Sequence, residues 1–143
     1  MSDYHRVLFV DDDKDTCQML GLMLKMADDA CAVKSVNTAQ EALGLLETQT
    51  FDLYVLDYRM PDMTGVELCS RIRQTDKQVP ILFFSAMARN SDRKSATMAG
   101  ANDYLVKPND LDRFAETVKQ LLHENSSIKV ETPGGFGSRK SVY

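Results

Sequence analysis

The sequence predicts an α/β fold in which five parallel strands form one sheet and helices cover both of its faces. Short apolar runs alternate along the chain with segments whose apolar residues recur at helical spacing. This alternation is typical of repeated strand–helix units. The connections between units are short, so we expect consecutive strands to lie parallel in a doubly wound sheet. A length of 143 residues suits a single domain of this kind.

Three strands are predicted to be central because they are apolar throughout. They cover residues 7–10, 53–56 and 81–84, and strands that helices cover on both faces need apolar side chains on both. The segment 32–36 is only partly apolar and the segment 104–106 is short, so we expect these two strands at the edges. These placements give the strand order 2-1-3-4-5 of flavodoxin-like folds.

Helix starts and stops are predicted from capping residues. Thr38 and Thr64 are each followed three residues later by Glu, which is the capping-box pattern of a helix start. A polar fourth helix over about 91–99 is followed by Gly100, the usual residue of a left-handed helix end. The remaining two helices are predicted at about 15–27 and from Asp110 onward, both with an apolar stripe.

Residues 1–124 are predicted to form the folded domain, and residues 125–143 a flexible tail or linker. Gly, Pro and Ser interrupt any periodicity in this last segment. A helix-turn-helix domain does not fit into it, and the net charge is −4, so we expect no direct binding of nucleic acid by this chain. Both a stand-alone domain and a fragment of a longer regulator or hybrid kinase agree with the sequence.

The composition predicts a soluble cytoplasmic protein with no membrane association. The three cysteines, Cys17, Cys31 and Cys69, are scattered and lack the spacing of a metal site, as expected of small apolar residues in a reducing compartment. The N-terminus lacks a charged start followed by an apolar run, and no apolar segment approaches the length that spans a bilayer.

The predicted functional residues directly follow the strands. Asp11 and Asp12 follow the first strand, Asp57 the third, Ser85 the fourth and Lys107 the fifth. In doubly wound sheets, ligands bind at the carboxyl ends of the strands, so these side chains should meet. Clustered carboxylates repel one another, and the arrangement is explained if they bind a divalent cation. Mg²⁺ is the expected ion because it prefers oxygen ligands and commonly bridges to phosphate.

Next to such an ion, a carboxylate can act as a nucleophile toward a phosphoryl donor. Phosphoryl transfer mainly requires positioning and neutralisation of the phosphoryl oxygens. Besides Mg²⁺, the Lys107 ammonium, the Ser85 hydroxyl and the Ala86 backbone N–H are the groups expected to supply this. An acidic triplet such as residues 11–13 is also common as a solvated loop or helix cap.

The chain resembles the receiver domain of two-component response regulators over residues 5–124. Four ordered motifs carry the resemblance: VDDD at 10–13, DYRMPDMTG at 57–65, SA at 85–86 and AGANDYLVKP at 99–108. Each motif alone is weak, but their order and their positions on the predicted fold make the set specific.

The resemblance implies a role for each matching residue. Asp57 would accept a phosphoryl group from the phosphohistidine of a histidine kinase or phosphotransfer protein. Asp12 would bind Mg²⁺ directly, Asp11 directly or through water, and the backbone carbonyl of Arg59 would complete the protein ligands. The chain would then be a signalling module that catalyses only its own phosphorylation and dephosphorylation, and not an enzyme acting on other substrates.

The resemblance also implies a conformational switch. Ser85 and Lys107 would hold the phosphoryl oxygens, and Tyr104 would turn inward as Ser85 moves toward the phosphoryl group. The surface formed by the fourth helix, fifth strand and fifth helix would then bind a downstream protein target. The bond between Lys107 and Pro108 would be cis.

Two other functions share parts of this pattern. A phosphatase with an aspartyl-phosphate intermediate also has its nucleophile after the first strand, and Asp11 and Asp13 fit its Asp-x-Asp start; however, no Gly follows Asp13. Turnover of a generic phosphate ester would distinguish the two. A flavin-binding electron carrier shares the predicted topology, but the acidic loop after the first strand lacks the Ser, Thr and Gly residues that hold a phosphate.

Overall fold

A computed structural model describes residues 4–130 of the chain. Within that range, five strands alternate with five α-helices. The strands are β1 (His5–Val10), β2 (Cys31–Val36), β3 (Leu53–Leu56), β4 (Ile81–Ser85) and β5 (Asp103–Val106). The helices are α1 (Lys14–Ala27), α2 (Ala39–Leu46), α3 (Gly65–Thr75), α4 (Asn90–Ala99) and α5 (Phe114–Val130), the last preceded by a 3₁₀ turn at Leu111–Arg113.

All strand pairs are parallel, and the order is β2-β1-β3-β4-β5. The predicted fold class and strand order are therefore confirmed. The register aligns the carboxyl ends of the central strands, since Val10 pairs with Leu56 and Leu56 pairs with Phe83. Ser85 in turn pairs with Val106. Residues that follow β1, β3, β4 and β5 consequently meet at one edge of the sheet, called here the carboxyl rim.

Two separate apolar cores lie on the two faces of the sheet. Strand side chains alternate between faces, so Leu8 and Val10 of β1 join the core under α2, α3 and α4. Val7 and Phe9 of the same strand join the core under α1 and α5. This division explains why the central strands are apolar throughout, as a sheet covered on both sides requires.

Capping residues begin α2 and α3 as predicted, although only half of each capping box forms. The hydroxyl of Thr38 accepts the N–H of Glu41 at 3.1 Å, and Thr64 accepts the N–H of Glu67 at 3.1 Å. The Glu41 carboxylate accepts the N–H of Asn37, the residue before the cap. Gly100 ends α4 with φ of 116°, a left-handed conformation that favours glycine.

The C-terminal helix differs from its prediction at both ends. A 3₁₀ turn separates Asp110 from α5, and α5 continues to Val130, past the predicted boundary at residue 125. The rest of the predicted tail, 131–143, lies outside the described residues, and its assignment as a tail or linker stays a prediction. No helix within residues 4–130 is both long and apolar enough to cross a membrane.

Candidate functional site

The carboxyl rim brings together an acidic pair and a lysine that lie far apart in sequence. The Lys107 ammonium contacts an Asp11 carboxylate oxygen at 2.7 Å and an Asp57 oxygen at 3.5 Å. The three side chains are only 20%, 8% and 12% exposed, respectively. Lys107 also lies 5.8 Å from the ring of Phe84, within the range of a cation–π contact. The Lys107–Pro108 bond is cis, as the resemblance implied.

Three carboxylates surround a position suited to a metal ion. One oxygen each from Asp11, Asp12 and Asp57 lies within 4.8 Å of the others. Asp11 is buried and Asp12 is exposed, so the group opens to solvent on one side. Several hard oxygen donors and an open side fit Mg²⁺, which binds few protein ligands and keeps some of its waters. The residues present therefore fit the predicted ion.

The electrostatics of the rim differ for its acid and its base. Burial, reinforced by the charge of Asp11, raises the pKa of Asp57 above its ordinary value despite the nearby ammonium. Burial alone would lower the pKa of Lys107, but the hydrogen bond that its ammonium donates to Asp11 and the charges of Asp57 and Asp11 outweigh burial and raise that pKa. Lys107 is therefore charged, whereas the charged form of Asp57 is less favourable than that of a carboxyl group in water.

The acidic triplet divides between two roles. Asp13 is the N-cap of α1, and its carboxylate accepts the N–H groups of Asp15 and Thr16 and the hydroxyl of Thr16. The Asp11 carboxylate instead accepts the N–H of Asp13 at 2.9 Å and faces Lys107. Asp13 is therefore a helix cap, whereas the role of Asp11 and Asp12 as metal ligands stays a prediction.

The segment after β3 folds back over Asp57. Asp57 Oδ1 accepts the N–H of Tyr58 at 2.7 Å, and the carbonyl of Tyr58 accepts the N–H of Gly65 at 2.8 Å. A Cβ at position 65 would lie 2.1 Å from the backbone oxygen of Asp57, so only glycine fits there. Arg59, whose backbone carbonyl is a predicted ligand, lies in this segment with its side chain exposed.

Ser85 and Tyr104 meet at Met87, in the loop between β4 and α4. Ser85 is buried, and its hydroxyl oxygen accepts the N–H of Met87 at 3.2 Å. The hydroxyl of Tyr104 donates to the carbonyl of Met87. The Tyr104 ring is buried and stacked on Phe83, with centroids 5.6 Å apart. Burial raises the pKa of Tyr104 to about 12, so its hydroxyl remains a donor. Ala86, which lies between Ser85 and Met87 in the chain, is exposed.

Sequence reasoning missed two polar residues next to the rim. Asn37 follows β2 and donates its side-chain amide to the backbone oxygen of Asp11 at 2.9 Å. Asp62, in the segment after Asp57, accepts backbone N–H groups at the start of α2. The position of Asn37 directly after a strand was an available signal, because the same rule selected the other site residues.

Most of the chain matches the model of one protein family. Residues 7–119 match the family described as the response regulator receiver domain. The match covers most of the chain, and the chain belongs to this family.

Curated relatives differ in how much of their length the chain covers. It is 41% identical over 116 residues to an uncharacterized 14.6 kDa protein of Leptolyngbya boryana, covering 80% of this chain and 87% of that protein. It is 33% identical to the transcriptional regulatory protein ZraR of Escherichia coli K12, over 93% of this chain but only 30% of ZraR.

Solved structures resemble the domain over nearly their whole length. A CheY-like receiver domain protein from Methanospirillum hungatei has a TM-score of 0.80 and 26% identity, over 87% of this chain and 98% of that one. The response regulator TrrA from Thermotoga maritima, solved in complex with Mg²⁺-BeF, has a TM-score of 0.72 and 28% identity, over 82% and 98%.

Proposed function

We propose that this receiver domain accepts a phosphoryl group on Asp57 in a Mg²⁺-dependent reaction. The observation that carries the proposal is the meeting of Asp11, Asp12 and Asp57 within 4.8 Å, beside the Lys107 ammonium. The family and the Mg²⁺-BeF complex of TrrA support it. Asp57 is the proposed acceptor because it directly follows the central strand β3, and its carboxylate lies near those of Asp11 and Asp12 and 3.5 Å from the Lys107 ammonium.

In the proposed transfer, a carboxylate oxygen of Asp57 attacks the phosphorus of a phosphohistidine on a histidine kinase or phosphotransfer protein. A P–O bond forms, the P–N bond breaks, and the electron pair returns to the imidazole nitrogen, which takes up a proton. The product is an acyl phosphate on Asp57.

The charge of the incoming group has to be offset for this step. The Lys107 ammonium lies 3.5 Å from Asp57 and would bind a phosphoryl oxygen. Ser85, the last residue of β4, and Ala86 after it would contribute a hydroxyl and a backbone N–H. When bound by Asp11, Asp12, Asp57 and the Arg59 carbonyl, Mg²⁺ would supply the remaining positive charge.

Met87 would couple the site to a partner surface. Its N–H contacts Ser85 and its carbonyl accepts the Tyr104 hydroxyl, so a Ser85 hydroxyl that turned toward a phosphoryl oxygen would disturb both contacts. The loop at 86–89 would then move relative to α4 and β5. We infer that the face formed by α4, β5 and α5 binds a downstream protein, and that phosphorylation shifts its conformational equilibrium.

The same proposal includes a cytoplasmic location. It also includes action through protein contacts without direct nucleic-acid binding, and a role as a signalling module with no other substrate. The three buried, unpaired cysteines support a reducing compartment.

Mapping the modified residue tests the proposal. The chain is incubated with acetyl phosphate and Mg²⁺, and the adduct is located by mass spectrometry. We expect one phosphoryl group on Asp57, none after Asp57→Asn, and none with EDTA, because Lys107 alone does not offset the charge of the donor.

Asp13→Asn is the matched control, since Asp13 belongs to the same acidic triplet but caps α1. It should retain incorporation. An adduct of unchanged yield in Asp57→Asn would show that Asp57 is not the acceptor.

A further inference from the structure

The two segments that carry the proposed metal ligands both contact the start of α2. One segment, after β1, holds Asp11 and Asp12, and the other, after β3, holds Asp57 and Arg59. Each is tied to the start of α2 by one polar side chain, either Asn37 or Asp62.

Asn37 connects the segment after β1 to the start of α2. Its side-chain amide donates to the backbone oxygen of Asp11 at 2.9 Å. Its own backbone N–H donates to the Glu41 carboxylate at 2.9 Å, and the N–H of Glu41 donates to Thr38 at 3.1 Å. Asn37 is thus held by α2 while it holds the backbone of a proposed ligand residue.

Asp62 ties the second segment to the same helix turn. Its two carboxylate oxygens accept the N–H groups of Ala39, at 3.2 Å, and of Gln40, at 2.8 Å. These are among the first N–H groups of α2, which lack partners inside the helix, and a carboxylate is favoured at that end of the helix dipole. Asp62 is separated from Arg59 by only two residues, so this contact restrains the position of the Arg59 carbonyl.

A helix start alone does not explain the second contact. Helix α2 already has a local cap, Thr38, and α3 begins with one local cap, Thr64. The carboxylate of Asp62 comes from 23 positions away from Ala39 along the chain. Its effect beyond capping is to join the segment after β3 to α2, which also holds the segment after β1.

We propose that Asn37 and Asp62 are positioning residues that set the spacing between the two metal-binding segments, with the first turn of α2 as the rigid element between them. The inference rests on the proposed function. Mg²⁺ demands nearly ideal octahedral geometry, so small displacements of its ligand segments weaken binding. Loss of groups that orient metal ligands commonly lowers metal affinity by about 10- to 100-fold.

The test measures Mg²⁺ affinity of the full chain by isothermal titration calorimetry or NMR shifts. Asp62→Ala and Asn37→Ala should each raise the Kd for Mg²⁺ about tenfold. Asp62→Asn keeps a carbonyl oxygen for one of the two N–H groups and should recover part of the affinity. With acetyl phosphate, the Mg²⁺ concentration for half-maximal phosphorylation should rise, while the rate at saturating Mg²⁺ stays near that of the wild type.

Asp76→Ala is the matched control. Asp76 is exposed like Asp62 and also accepts two backbone N–H groups, from Gln78 and Val79 at 3.0 Å each, but it precedes β4 at the opposite end of the sheet. It should lower the melting temperature comparably and leave the Kd for Mg²⁺ unchanged.

Wild-type affinity in both Asp62→Ala and Asn37→Ala would overturn the inference, as would an equal loss of affinity in Asp76→Ala. A wild-type chain that binds no Mg²⁺ would overturn the proposed function and this inference together. Failure of the inference alone is therefore distinguishable from failure of the proposed function.

Discussion

Aspartates at the two ends of the sheet differ in what their carboxylates contact. At the amino end, Asp52 accepts one backbone N–H at 2.7 Å and Asp76 accepts two at 3.0 Å. At the carboxyl rim, the buried Asp11 and the mostly buried Asp57 share the ammonium of Lys107. At the amino end, aspartate side chains thus contact backbone N–H groups. At the carboxyl rim, they lie close to one another and to a lysine.

The difference distinguishes aspartates that stabilise the fold from those that we propose bind Mg²⁺. A carboxylate that accepts backbone N–H groups satisfies donors that would otherwise lack partners, so it stabilises the fold. Carboxylates buried beside one another destabilise it unless cations offset their charge. The raised pKa of Asp57 reflects this destabilisation of its charged form. The rim therefore fits the proposed binding of Mg²⁺, whereas the aspartates at the amino end already accept backbone N–H groups.

The largest expected effect follows loss of the rim cation. Lys107→Met keeps most of the side chain's apolar contacts but removes the charge between Asp11 and Asp57, and should lower the free energy of unfolding by about 3 kcal/mol at neutral pH without Mg²⁺. Urea unfolding measures it. The loss should shrink at lower pH, as the carboxylates take up protons.

A surface lysine provides the control for this variant. Lys25 pairs with Asp29 at 3.7 Å, and both side chains are exposed, so Lys25→Met should change stability by no more than about 0.5 kcal/mol. Equal effects of the two lysine variants would remove the distinction between rim and surface.

A second prediction tests how tightly the rim is packed. Gly65→Ala would place a Cβ 2.1 Å from the backbone oxygen of Asp57 and 3.0 Å from the Phe83 ring, so it should cost about 2 kcal/mol or more. Gly44→Ala in α2 meets nothing within 4 Å and should stabilise by up to about 1 kcal/mol, because alanine favours helix. Thermal melts of both variants compare the positions, and a tolerated Gly65→Ala would contradict the close approach described above.

The smallest effect has the opposite sign at the two ends. In the absence of Mg²⁺, Asp57→Asn should stabilise the domain by about 1 kcal/mol at neutral pH, as neutralising a crowded functional charge commonly does. Asp76→Ala should instead destabilise it by about 1 kcal/mol, because the N–H groups of Gln78 and Val79 lose their acceptor. Urea unfolding of each variant measures both.

The pH dependence of the Asp57 variant follows from the direction of its pKa shift. The folded pKa lies above the ordinary value of 3.8, so the wild-type group contributes stability below 3.8 and loses it as the pH rises through the raised value. The gain from Asp57→Asn should therefore vanish near pH 4 and grow toward neutral pH. A gain that instead grew with acid would contradict the shift.

The fold was largely predictable from the sequence because its signals are local. The apolar run at 53–56 coincides with β3, and the threonine caps begin α2 and α3 where predicted. The end of α5 was not predictable in this way. Ser126 and Ser127 suggested a boundary near residue 125, but serine costs little inside a helix, and the helix continues to Val130.

The site was predictable where the strand ends alone determine which residues meet, as for Asp57 and Lys107. The position of Asn37 directly after β2 marked it as a candidate. Its contact with Asp11, like that of Asp62 with α2, depends on how loops from different strands pack, which no local pattern records. Similarly, Gly65 reads in the sequence as part of a motif, while the reason for it, the backbone of Asp57 beneath it, exists only in three dimensions.

Strand β4 presents neighbouring phenylalanines to opposite sides of the sheet. Phe83 stacks on Tyr104, while Phe84 lies against Phe114 and beneath Lys107. A shift of one residue along a strand exchanges its two faces, so a single insertion or deletion in β4 would remove the ring contacts of both Lys107 and Tyr104 at the same time. We therefore expect such a change to abolish the two proposed functions together, acceptance of a phosphoryl group and the conformational response to it.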